Sequence, residues 1–81
     1  MEDRTAAELA KDYSAMGDSI SLITAVIAGD SMADESAEDR QDCVDRNTQH
    51  LELMKAKEDW GSESFTATDS AISAGKGYTA S

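Results

Sequence analysis

The stretch TAAELAKDYSAMGDSISLITAVIAGD, residues 5–30, decides how this chain folds. Its apolar residues fall at Leu9, Tyr13, Met16, Ile20, Ile23 and Ile27, with gaps that alternate between four and three. That period sets them on one side of an α-helix, because residues three and four apart lie over one another on successive turns. Leu22 and Val26 widen the stripe in its second half. Thr5 with Glu8 three residues later is a capping box, in which each side chain accepts the other residue's backbone N–H. Gly29, followed by Asp30, is a stop signal, since glycine adopts the left-handed conformation that closes a helix. Gly17 interrupts the stripe at a cost of about 1 kcal/mol relative to alanine. The spacing predicts one helix over about residues 5–28.

Working outward, residues 30–45 (DSMADESAEDRQDCVD) hold seven acids against one arginine. Residues 30–35 read as an acidic loop. Asp34 or Ser36 can cap a second helix, and Glu38 and Asp39 suit the positive end of its dipole. A second stripe runs through Ala37, Val44, Leu51 and Met54, with Cys43, Asn47 and His50 on neighbouring positions. It predicts a helix over about 36–59, ended by Trp60 and Gly61. Asp42 with Arg46 and Lys55 with Asp59 stand four apart as surface pairs. In SESFTATDSAISAGKGYTAS, residues 62–81, Ser62 and Ser64 are cap candidates, and Phe65, Thr68, Ala71 and Ile72 share a face. Gly75 and Gly77 read as C-terminal caps. These signals predict a short helix over about 64–75 and a loosely held tail at 76–81. A strand at SFTAT is the alternative, but it has no second strand to pair with.

The expected fold is all-α, one domain spanning residues 1–81. Two long helices form an antiparallel hairpin that a short third helix closes, a small three-helix bundle. At 81 residues such a fold buries little more than about 60% of the surface its unfolded chain exposes. The single cysteine, Cys43, gives no internal disulfide and fits a reducing compartment. The opening MEDRTAAELAKDY carries no apolar signal segment, and ISLITAVIAG falls short of the roughly 20 residues a bilayer needs. A soluble, cytoplasmic protein is expected. Its net charge of −10 comes from 17 acidic and 7 basic residues. That balance repels phosphate backbones and anionic membranes, so neither is an expected partner.

The chemistry of sites is thin. Cys43 and His50 lie seven apart on one helix, about 10 Å, beyond the reach of a thiolate–imidazole pair. One cysteine and one histidine do not complete a tetrahedral zinc site. The run DSMADESAED lacks the residue order of a calcium-binding EF-hand loop. AGKGY lacks the strand–loop–helix context of a phosphate-binding loop. The carboxylates are many, and none is set apart by an apolar pocket or a positioned partner. No catalytic residue, metal, cofactor or small-molecule ligand is expected, and the reading is a non-enzymatic interaction protein.

The candidate protein-interface residues are Ile20, Ile23, Val26, Ile27, Leu53, Trp60 and Phe65. A third helix this short covers a long hairpin poorly, so the strip from Ile20 to Ile27 is a docking surface unless that helix or the tail folds over it. Leu53 and Trp60, seven apart, form a second ridge. Trp60 and Phe65 flank an elbow that is either core packing or a partner-facing anchor.

Residues 46–81, RNTQHLELMKAKEDWGSESFTATDSAISAGKGYTAS, show the pattern R-N-x-x-H-L-x-x-M-x-A-K-x-x-W, an acidic residue, then T-A-x-x-x-A-I-x-A-G-x-x-Y-T-A. In this the chain resembles small proteins encoded by tailed phages of marine bacteria, cyanophages especially. The resemblance covers under half of the chain and brings no catalytic or ligand motif. It implies a virion component, a capsid decoration or a tail or neck accessory, whose partners are other virion proteins or further copies of itself. It also implies an ordered carboxyl-terminal end. The alternative function is a small acidic modulator that binds a basic host protein through the carboxylates of residues 30–45, as a nucleic-acid mimic does.

Overall fold

A computed structural model describes residues 5–57, 60 and 65–81. Three helices, α1 (Ala6–Ala28), α2 (Ala37–Lys55) and α3 (Thr66–Gly77), pack against one another as a small all-α bundle. No strand forms among the described residues, and the SFTAT alternative gives way to the start of α3.

The ends of α1 are set by its caps. The Thr5 N–H donates to Glu8 Oε1 at 3.2 Å and the Glu8 N–H to Thr5 Oγ1 at 3.1 Å. Gly29 closes the helix at φ 83°, where a Cβ would be strained. Of the two cap candidates before α2, Ser36 serves, accepting the Asp39 N–H at 3.1 Å. Ser62 and Ser64 lie outside the described residues. Phe65 stands at the start of α3 without a side-chain cap.

Three boundaries differ from expectation: the end of α2 and both ends of α3, which starts at Thr66 rather than 64. The second helix stops at Lys55 rather than 59, so Leu53 and Trp60 form no continuous ridge. Leu53 points outward at 64% exposure, whereas Trp60 turns inward at 6%. The indole Nε1–H reaches back to the Met54 carbonyl at 3.0 Å, sharing that last-turn acceptor with the Lys57 N–H at 3.1 Å. The third helix runs two residues further than expected. Gly75 lies inside it, buried against Thr48 of α2, and is a packing glycine rather than a cap.

The core is Met16, Ile23, Val26, Val44, Leu51, Met54, Trp60 and Ala71. Both predicted stripes contribute, but α1 buries Met16, Ser19, Ile23 and Val26, a line rotated slightly from the one the spacing marked. Trp60 joins the three helices at one end. Its ring sits 4.8 Å from that of Tyr13 and 5.8 Å from that of Phe65, the latter edge to face. The Tyr13 hydroxyl donates to the Trp60 carbonyl at 2.7 Å. Tyr13→Phe removes that bond and keeps the ring contact. It should cost about 1 kcal/mol, read as a fall of roughly 4–8 °C in Tm.

Ion pairs tie the surface of the bundle together. Lys55 pairs with Asp69 of α3, and Lys76 meets Glu52 at 3.0 Å; the expected partner Asp59 lies outside the described residues. Asp42 and Arg46 form the expected pair along α2, at 3.0 Å. The tail departs from the loose segment that its composition suggests. The Gln41 side-chain amide donates to the Tyr78 carbonyl at 3.1 Å and accepts the Ala80 N–H at 2.7 Å, and Arg40 donates to the Ser81 carbonyl at 2.8 Å.

Candidate functional site

The seven candidate interface residues do not form one surface. Ile23 at 1%, Val26 at 2% and Trp60 at 6% exposure belong to the monomer's own core. The strip on α1 is therefore covered over its middle. Ile27 and Leu53 are exposed but stand on different helices, Ile27 near the end of α1 and Leu53 on the outer side of α2.

Ile20 and Phe65 do come together. They line a groove of about 140 Å³ between α1 and the start of α3, with Tyr13, Met16, Gly17 and Thr68. Its walls are mainly apolar side chains, and beside Gly17 the space is open: a Cβ built there meets nothing within 4 Å. The sequence marked Gly17 only as a cost to the helix. The structure places it on the border of this groove.

A second, wider groove of about 360 Å³ runs between α2 and α3. It has an apolar floor of Ala56 and Ile72, and Glu52, Lys55 and Asp69 on its sides. These charged residues take part in the two ion pairs that link α2 to α3, so they hold the bundle as well as line the groove.

The polar residues in the interior serve packing. Ser19, buried in α1, shares a 2.8 Å hydrogen bond with His50 Nδ1 of α2. This bond satisfies a hydroxyl that burial would otherwise make costly. Thr48 Oγ1 donates to the Val44 carbonyl one turn back at 2.7 Å. Cys43 is half-buried, and Asn47 Nδ2 bonds its carbonyl at 2.8 Å. His50 is thus engaged with Ser19 of another helix rather than with Cys43. Among the described residues no group of three or more metal-ligating side chains forms, and no helix is long and apolar enough to cross a membrane.

No protein-family model, curated protein or solved structure matches the chain.

Proposed function

We propose that this chain is a non-enzymatic interaction protein, a small component of a tailed-phage particle that docks on other proteins through the groove between α1 and α3. The groove carries the reading: Tyr13, Met16, Ile20 and Phe65 offer an apolar recess, and the open space beside Gly17 leaves room for a partner's side chain. Recesses of this kind, centred on aromatic and methionine side chains, are where protein interfaces concentrate their binding energy. The particle setting draws its support from the pattern in residues 46–81 alone. The partners are other virion proteins or further copies, and the charge of −10 disfavours nucleic acid. Quantitative mass spectrometry of purified particles tests this. The chain should be present in fixed stoichiometry with the capsid or tail proteins, and its absence from clean particles contradicts the reading.

A second reading rests on a different surface. Asp34, Glu35, Glu38 and Asp39 are all exposed along the loop and first turn of α2, a carboxylate surface fit for a basic host protein. Under that reading, neutralising these four acids abolishes binding, and affinity falls steeply with salt. Under the first reading, the same change leaves docking intact.

A further inference from the structure

Each helix of the bundle divides its surface unequally. The charged residues of α3 are Asp69 and Lys76, and both pair with α2, through Lys55 and Glu52. Those of α1 are Glu8, Lys11, Asp12 and Asp18, which the helical period turns toward the α2 side. Asp12 meets Lys57 beyond the end of α2 at 3.9 Å. Among the described residues, the outward flanks of α1 and α3 beside this groove carry no charged side chain. Ala10, Gly17, Ser21 and Thr24 lie exposed along the flank of α1, and Ala67, Ser70 and Ala74 along that of α3. The groove with Ile20 and Phe65 runs between the two flanks.

We infer that a second copy of this chain occupies that face. The inference rests on the docking reading above and names its partner. Two chains that each carry −10 repel one another wherever carboxylates would meet. Among the described residues, the α1–α3 face is where two copies meet without opposing charges, with both α2 helices turned to water. A basic partner would instead be drawn to the acidic loop and α2. The scale is sufficient: one of the three sides of a bundle with 5293 Å² of accessible surface exceeds the roughly 800 Å² that each partner contributes to a standard interface. The small residues let helices approach closely around the apolar centre, and a two-fold axis through the face makes the contact self-complementary.

Sedimentation equilibrium of the purified full chain, from micromolar to millimolar, tests this with two variants. The mass should rise from 8.6 kDa toward twice that value as concentration increases. Added salt should strengthen the association, because it screens the repulsion between like-charged copies. Gly17→Glu places a carboxylate on the face and should weaken dimerisation roughly tenfold or more, since burying an unpaired charge is costly. The space beside Gly17 is open and glutamate is the better helix former, so the variant's Tm should hold or rise. Loss of association is then separable from loss of fold. Leu53→Glu, on the outer side of α2, should leave the dimer within about twofold of the parent, as expected of a surface change away from the contact. A monomer at every concentration, a dimer indifferent to Gly17→Glu, a dimer lost in Leu53→Glu, or association that falls with salt would each overturn the inference. A monomeric chain that is nonetheless present in purified particles would overturn self-association and leave the docking function standing. Concentration-dependent association of a chain absent from particles would do the reverse.

Discussion

Gly75→Ala should destabilise the bundle by about 2 kcal/mol or more, net of the roughly 1 kcal/mol that alanine gains over glycine inside a helix. A Cβ at this position meets Thr48 Oγ1 at 1.9 Å, Thr48 Cβ at 3.0 Å and Thr48 Cγ2 at 3.2 Å. The first of these is far inside contact distance, and the Thr48 side chain is not free to swing away. It is buried, and its hydroxyl is bonded to the Val44 carbonyl. Relief therefore requires α3 to move off α2, which opens the packing around Ala71 and strains the ion pairs that Asp69 and Lys76 make. For a domain of this size the loss should appear as a fall in Tm of about 10 °C or more. Thr48→Ala in the same chain removes the hydroxyl and the methyl and should restore part of the stability. A coupling energy above roughly 1 kcal/mol in the double-mutant cycle would identify this one contact as the cause. Near-additivity of the two changes would mean that the helices do not touch there.

Ile23→Asp should unfold the chain outright. Ile23 is 1% exposed and among the largest fully buried side chains. Truncating such a residue costs about 2–5 kcal/mol in lost transfer and cavity energy. A carboxylate without a partner adds several more at that depth. The sum is comparable to the whole stability of a small domain, about 5–15 kcal/mol. Helical circular dichroism at 25 °C should fall to the level of the denatured chain. Leu53→Asp, at 64% exposure, should stay within about 1 kcal/mol of the parent. The contrast has a practical consequence. Loss of binding in Ile23→Asp reports loss of the fold, so interface tests belong at Gly17 and at surface positions.

The helices were legible in the sequence wherever local signals agreed with tertiary packing. For α1, the capping box, the three-and-four spacing and Gly29 all mark the same segment, and its bounds match to within a residue. The end of α2 was not legible. Leu53 and Trp60 have helical spacing, and no glycine or proline intervenes before Gly61. The chain leaves the helix because the indole finds the Met54 carbonyl and the ring of Tyr13, contacts that exist only once the bundle has formed. Gly75 illustrates the same limit, since a glycine near a helix end reads as a cap until the neighbouring helix is known. Ser19 and Thr48 carry no sequence signal for the interior, because polar residues are ordinarily expected outside. One is satisfied by a histidine 31 residues away and the other by its own helix.

The candidate interface was legible in part, for a related reason. Periodicity assigns Ile20, Ile23 and Val26 to neighbouring positions on one helix. Only the packed bundle decides that Ile23 and Val26 are covered while Ile20 borders an open groove with Phe65. The uncharged flanks of α1 and α3, as far as the described residues go, are written in the sequence, but they become visible once Asp69 and Lys76 are seen to turn toward α2.

The claim that α1 and α3 present the contact surface is tested most directly by site-specific photo-crosslinking in assembled particles, with the photoreactive residue replacing Gly17 in one variant and Leu53 in another. Both positions are exposed, and neither change touches the core. The account predicts protein adducts from position 17 and none from position 53. Adducts from position 53 with none from position 17 would place the contact on α2 and contradict it.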